Sequence, residues 1–187
     1  MRAKRVRAYV GLGANVGDPL ANLRNAVRAL AALPDVSVRG VSRLYQTKPV
    51  GVTDQPDFLN AVVALHVPAG PDPETGALAL LAALKALEVA IGRVARERWG
   101  PREVDLDLLL FGRQVINVER PDGRWLVVPH PQAHDRLFVL APLSDLVPGL
   151  RPPTWGETVT TARTRQGQLE GPDAVRVAAD SSWPGLG

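Results

Sequence analysis

The amino-acid sequence predicts an α+β fold, a ferredoxin-like antiparallel sheet with helices packed on it and an added hairpin. Two patterns and their order predict it. Several stretches alternate apolar and polar residues, the two-residue period of a strand. Two longer stretches repeat their apolar residues at helical spacing, and each opens with Asp-Pro. These stretches follow one another as strand, helix, strand, strand, helix, strand.

The first strand is Arg5 to Leu12, with Val6, Ala8 and Val10 on one face. It runs into Gly11-Leu-Gly-Ala-Asn-Val-Gly17, which matches neither the dinucleotide nor the Walker glycine pattern. It reads as a tight turn first and a ligand loop second. Asp18 caps the next helix, Pro19 suits its first turn, and Leu20, Leu23, Val27 and Leu30 form its apolar stripe until Pro34 stops it. Val36 to Tyr45 reads as the second strand, Gln46 to Pro56 as a loop, and Phe58 to Val67 as the third strand. Asp72 and Pro73 repeat the helix start; Leu80, Leu84, Leu87 and Ile91 give the stripe and Gly92 the end. Val104 to Phe111 is the fourth strand, and Pro121-Asp-Gly123 between Gln114–Val118 and Trp125–Val128 is a hairpin signal. An apolar segment covers Leu137 to Leu146, and Glu157 to Arg165 reads as a short helix. One domain is expected over residues 1–166, followed by a poorly packed, flexible tail over 167–187.

Composition narrows the function. The chain has no cysteine, which excludes disulfides, zinc–thiolate sites and thiol catalysis. Its basic start precedes an apolar stretch too short for a signal core, and the longest apolar run stops at Lys85, so a cytoplasmic protein without a membrane span is expected. The formal net charge of +3 suits either nucleic acid or a polyphosphate, but only 5% of the residues are aromatic and none forms an RNA-stacking strand motif. A nucleotide is the better match for the anion, and no nucleic-acid partner is expected.

The sharpest local feature is Val104-Asp105-Leu106-Asp107-Leu108. Positions two apart on a strand face the same way, so Asp105 and Asp107 project together while their apolar neighbours turn inward. Paired carboxylates need a cation or arginines between them, and hard oxygen ligands suit Mg²⁺. Taken alone, an acidic exposed strand face is an equal alternative. The loop before the strand carries Arg93, Arg96, Arg98 and Arg102 with Trp99, bent at Gly92 and Gly100-Pro101. Arginine forks grip phosphate, and this loop abuts the carboxylate pair. A bound polyphosphate and its metal ions are therefore expected to order the loop. In Pro129-His130-Pro-Gln-Ala-His134-Asp-Arg136, the prolines oppose the helix that a histidine metal pair would need. A loop histidine and arginine can instead meet phosphate or ribose, although a lone histidine is more often structural. Phe58 and Asn60 share one face of the third strand, where ring and amide suit a flat heterocycle or a half-buried core.

Together these segments resemble the 6-hydroxymethyl-7,8-dihydropterin pyrophosphokinase family, from about Arg7 to about Leu150. The most specific stretch is Arg98-Trp-Gly-Pro-Arg-Glu-Val-Asp-Leu-Asp-Leu-Leu-Leu-Phe-Gly112. It is supported by Gly11-Leu-Gly-Ala-Asn15, Asp54-Gln-Pro-Asp-Phe-Leu-Asn60, Val128-Pro-His130 and Arg136-Leu-Phe138. The resemblance implies transfer of pyrophosphate from ATP, as co-substrate, to the hydroxymethyl oxygen of 6-hydroxymethyl-7,8-dihydropterin, with AMP leaving. It implies two Mg²⁺ ions on Asp105 and Asp107, with Arg93 and Arg102 assisting transfer. Glu88, Trp99, Leu108, His130 and Arg136 are then expected at the ATP. Thr47, Pro49, Val50 and Asn60 are expected to line the pterin pocket, with Phe58 and Phe138 on the two faces of the ring. A monomer with two small-molecule substrates is expected. The sequence departs from some members in having Phe58 where they have Tyr, Ala95 in place of a basic residue, Pro131 after the histidine, and a longer hairpin at Pro121 to Trp125. Two rival readings stand beside this one. A nucleotidyltransferase would use the same Asp-x-Asp but want a third carboxylate. A non-enzymatic ferredoxin-like module would need neither the aspartates nor the arginine loop.

Overall fold

Strand β1 (Arg5–Ala14) is an inner strand of a six-stranded sheet, hydrogen-bonded to β4 (Phe58–Pro68) on one side and to the edge strand β5 (Asp105–Phe111) on the other. The structure, a computed structural model, describes residues 4–49, 54–94 and 100–185. Every strand pair in the sheet is antiparallel. Strands β2 (Ser37–Val41) and β3 (Tyr45–Thr47) both pair with β4, along its second and first halves respectively. The strand order is therefore the ferredoxin-like one expected from the sequence.

Helices α1 (Pro19–Ala32) and α2 (Pro73–Ile91) start as their sequences require. The Asp18 carboxylate accepts from the Ala21 N–H at 3.0 Å, the Asp72 carboxylate accepts from the Thr75 N–H at 2.8 Å, and a proline opens each helix. Gly92 ends α2 in the left-handed region, at φ 107°, which a side chain would resist. Both helices cover one face of the sheet. There Leu23, Leu30 and Leu84 pack on Val10, Leu12, Val63, Leu65 and Leu106. Two helices not specified by the alternation, α3 (Leu137–Leu146) and α4 (Val159–Glu170), cover part of the opposite face. Leu140, Leu143, Val159 and Ala162 pack there on Tyr9, Val62, Ala64 and Leu109. Strands β6 (Ile116–Glu119) and β7 (Trp125–Val128) form the expected hairpin as a separate ribbon. No helix among the described residues is long and apolar enough to cross a membrane.

The structure corrects three readings. Gly11 and Gly13 do not form a turn; they lie within β1. The stretch from Val36 to Tyr45 is not one strand. Ser42 interrupts it, exchanging its N–H with the Val62 carbonyl and accepting the Val62 N–H on its hydroxyl, both at 2.9 Å. The chain then resumes as β3, which includes Gln46 and Thr47 from the expected loop. The boundary at 166/167 falls inside α4, and the stretch read as a poorly packed tail supplies an eighth strand, β8 (Val175–Val177), paired with β3. Composition marks a weak core-former, but it does not register that an uncovered strand edge leaves N–H and C=O groups to be satisfied.

A buried polar knot ties β3 to α3. The Asp145 carboxylate accepts from the Tyr45 hydroxyl at 3.0 Å and from the Arg43 guanidinium at 2.6 Å. Burial, then the neighbouring Asp145 charge, pushes the Tyr45 phenol up to about 12. A folded-state value above the unfolded one means that this contribution to stability is complete below about pH 10 and is lost as pH rises towards 12. Denaturant midpoints measured across that window should fall more steeply for the native chain than for Tyr45→Phe. Parallel curves would show that the phenol does not titrate with unfolding.

Candidate active site

One face of the sheet is left open beside α3, and register places its side chains in rows. Gly13 pairs with Asp105 on one side and Asn60 on the other, and Gly11 with Asp107 and Val62. Directly opposed residues of an antiparallel pair share a face, so Asp105, Asp107, Asn60 and the two glycines look the same way. The glycines form a floor without side chains. A Cβ at Gly13 would stand 3.2 Å from the Asn60 Oδ1, so any larger residue there crowds that amide. Strand alternation accounts for the pattern along β5, where Leu106 and Leu108 are buried and Asp105 and Asp107 are partly open.

Two cavities meet over this face. The smaller, about 250 Å³, is walled by Thr47, Phe58, Asn60, Phe138 and the two glycines. The larger, about 940 Å³, lies between α2, the start of the arginine loop and the hairpin. Arg102, Asp105, Asp107 and His130 line both. The carboxylate pair thus stands at the junction of two compartments.

Cations crowd Asp105 and Asp107. Arg93 and Arg102 both bind Asp105, Arg93 at 2.7 Å. Lys85 Nζ lies 3.6 Å from Asp107 and 4.0 Å from Asp105. Glu88 is 3% exposed and is held from three sides: Lys85 and the Leu106 N–H each donate to Oε1 at 2.6 Å, and Arg93 binds Oε2. Burial raises the Glu88 carboxyl above the ordinary range, against the pull of Lys85. The expected nucleotide neighbour Glu88 therefore lines the larger cavity as a buried brace between α2, β5 and Arg93.

The remaining expected residues separate by compartment. His130 follows the cis Val128–Pro129 bond, and its backbone N–H donates to the Leu109 carbonyl at 2.9 Å. Its Nδ1 accepts from the Gln132 N–H at 3.3 Å, which directs the other ring nitrogen elsewhere. Burial lowers its pKa, with the Asp107 charge opposing. Arg136 lines the smaller cavity, its guanidinium 5.5 Å from the Phe138 ring centroid, and does not line the larger one. Leu108 is 3% exposed in the main core and reaches the larger cavity only as part of its wall. Thr47, Phe58, Asn60 and Phe138 come together as expected; the Thr47 hydroxyl accepts from the Asn60 amide at 2.7 Å. Pro49 is not part of that wall, whereas Lys48 is. Val50, Trp99, Arg96, Arg98 and Ala95 lie outside the described residues.

Three contributors carried no expected role. Lys85 is one. Another is Arg120, which with Trp125 lines the larger cavity from the hairpin. Asn15 is the third: its amide donates to Gln55 and to the Pro56 carbonyl, each at 3.0 Å, and its Oδ1 accepts the Arg102 N–H at 2.8 Å. An amide placed directly after the glycines was the only local signal for this staple.

Fold and site define a kinase-type transferase of ferredoxin-like α+β plan, with a carboxylate pair and arginines between two cavities. Residues 9–148 match the family model for 7,8-dihydro-6-hydroxymethylpterin-pyrophosphokinase (HPPK), and the chain belongs to that family. It is 45% identical over 147 residues to the 2-amino-4-hydroxy-6-hydroxymethyldihydropteridine pyrophosphokinase of Pseudomonas aeruginosa, covering 79% of this chain and 84% of that one. The enzyme of the same name from Bacillus subtilis is 43% identical over 139 residues, 74% of this chain and 77% of that one. Among solved structures, an HPPK-DHPS in complex with substrates superposes with a TM-score of 0.69 at 15% identity, over 89% of this chain and 44% of that one. A Plasmodium falciparum HPPK-DHPS gives 0.71 at 14%, over 90% and 47%. The chain spans less than half the length of those two proteins, and the likeness to them is one of fold.

Proposed function

We propose that the chain transfers the pyrophosphoryl group of ATP to 6-hydroxymethyl-7,8-dihydropterin, giving the pterin diphosphate and AMP. The observation that carries this reading is the pair of adjoining cavities with Asp105, Asp107, Arg102 and His130 in their common wall. A pterin in the smaller cavity and ATP in the larger would meet at the carboxylates. The hydroxymethyl oxygen bonds to the β-phosphorus, the bond from that phosphorus to the bridging oxygen of AMP breaks, and the hydroxyl proton is released. We read the chain as a cytoplasmic monomer acting on small molecules.

The donor set fits Mg²⁺. Two carboxylates on one strand face are hard oxygen ligands, and Mg²⁺ commonly takes one or two such ligands and completes its shell with water and phosphate oxygens. Bound there, two Mg²⁺ ions would neutralise phosphate charge between the compartments. The chain's own residues do the remainder. Arg93 and Arg102 are placed to trade a carboxylate for a phosphate, His130 stands at the junction, and Asn15 holds the Arg102 backbone in place. A nucleotidyltransferase would instead attack the α-phosphorus, release pyrophosphate, and want a third carboxylate. Glu88, the acidic neighbour, is already held by Lys85, Arg93 and the Leu106 N–H.

Incubation with ATP, Mg²⁺ and hydroxymethyldihydropterin should produce AMP in step with the pterin diphosphate; pyrophosphate in place of AMP would reverse the assignment. Asn60→Ala and Phe58→Ala should each weaken pterin binding by about 1–3 kcal/mol, because hydrogen bonding and stacking are lost, while ATP binding changes little. Calorimetric titration with each ligand separately reads the difference. Equal losses for both ligands would make that strand a structural element only.

A further inference from the structure

Residues 171–185 lie beyond the stretch 9–148 that the family model matches, yet they pack against the strand that carries Thr47. Strand β3 has three residues, too few to hold a register firmly by one ladder. On its inner side it pairs with β4, Tyr45 with Asn60 and Thr47 with Phe58, so three residues of the smaller cavity sit in one short ladder. On its outer side it pairs with β8, Tyr45 with Val177 and Thr47 with Val175. Two anchors extend this contact. The Ala178 N–H donates to the Leu44 carbonyl at 2.8 Å, and the Trp183 indole N–H donates to the Ser42 carbonyl, also at 2.8 Å. Trp183 and Ala178 also pack against the main core. The C-terminal segment therefore grips the chain at Ser42, Leu44 and Tyr45–Thr47, the run leading into the cavity.

We infer that this C-terminal segment is a positioning element of the pterin site: it clamps β3 from outside and so holds Thr47 against Asn60. The inference rests on the pterin reading of the smaller cavity. Thr47 and Asn60 are both nearly inaccessible, at 5% and 6% exposure, and their mutual bond of 2.7 Å fixes the orientation of the Asn60 amide. A hydrogen bond between two buried side chains tolerates little displacement of either strand. Without β8, β3 becomes an edge strand of three residues, and its backbone groups turn to water. Thr47 then loses its fixed height over the cavity. Asp105, Asp107 and Arg102 stand on or before β5, at the far edge of the sheet from β8, so they keep their places. The effect should fall on the pterin and spare the nucleotide.

The test is a double-mutant cycle on steady-state kinetics, pairing truncation after Gly171 with Thr47→Ala. Truncation should raise the KM for the pterin about tenfold, the size of one buried hydrogen bond, and leave the KM for ATP and kcat at saturation within about twofold. Adding Thr47→Ala to the truncated chain should cost little more, because both changes remove the same restraint. Trp183→Phe, which deletes only the indole N–H and keeps most of the ring, should move the pterin KM in the same direction with a native melting profile; it carries the cycle if the truncated chain does not fold. Additive losses, unchanged pterin KM, or a uniform fall in all parameters would overturn the inference. If the native chain itself makes no AMP with the pterin, the proposed function fails instead, and the two failures are distinguishable.

Discussion

Asp107→Asn should abolish AMP formation while leaving the fold and its melting temperature nearly unchanged. Asp107 is 46% exposed on its side chain, and among the described residues it pairs with Lys85 at 3.6 Å. An amide has almost the same shape, so packing is preserved, but it lacks the charge that a divalent cation requires of its ligand. Asp105→Asn should also abolish turnover, with a different cost in stability. Relief of repulsion between the two aspartates would by itself stabilise such a variant, but the structure argues against that. Asp105 is 20% exposed and binds Arg93 and Arg102, so an amide there weakens the pairing of both partly buried guanidinium groups and leaves Arg93 to Glu88. We expect Asp105→Asn to lose about 1–2 kcal/mol and Asp107→Asn to lose less than about half of that. Chemical denaturation of the ligand-free variants compares the two. Near-normal AMP production by the double variant would remove both residues from the reaction.

Arg102→Ala is the second large effect. Arg102 borders both cavities and binds Asp105, while its backbone is fixed by exchange with Asn15. A phosphate arriving in the larger cavity offers the guanidinium a competing anion, so the side chain can move from carboxylate to substrate without moving its backbone. Charge that shifts onto the departing AMP is the charge that an arginine at the junction stabilises best. The single-turnover rate should fall by about 10²-fold or more, with a smaller change in ATP affinity. Rapid-quench measurement separates that step from product release. A loss of ATP affinity with an unchanged single-turnover rate would make Arg102 a binding residue and no more.

Local periodicity and the Asp-Pro starts were legible because they depend on neighbours a few residues apart. The two-residue period of β5 alone is enough to place Asp105 and Asp107 together and Leu106 inside. The Asp18 and Asp72 caps follow equally from short-range chemistry. The ferredoxin-like order follows from the succession of elements. Other features required the assembled sheet. Gly11 and Gly13 looked like a turn because glycine is permissive; within β1 they instead leave bare floor between Asn60 and the aspartates, a role set by the registers of β1 with β4 and β5. Lys85 reads as the end of an apolar run, and only the packing of α2 on β5 brings its Nζ to the carboxylates. The break at Ser42 and the use of residues 175–177 as a strand depend on which edge is left uncovered after the rest has folded. Side-chain period and helix capping are properties of a segment, and the sequence by itself determined them. Register across strands, the sharing of one carboxylate pair by two cavities and the covering of an edge are properties of segments far apart in the chain, and only the tertiary structure decided them.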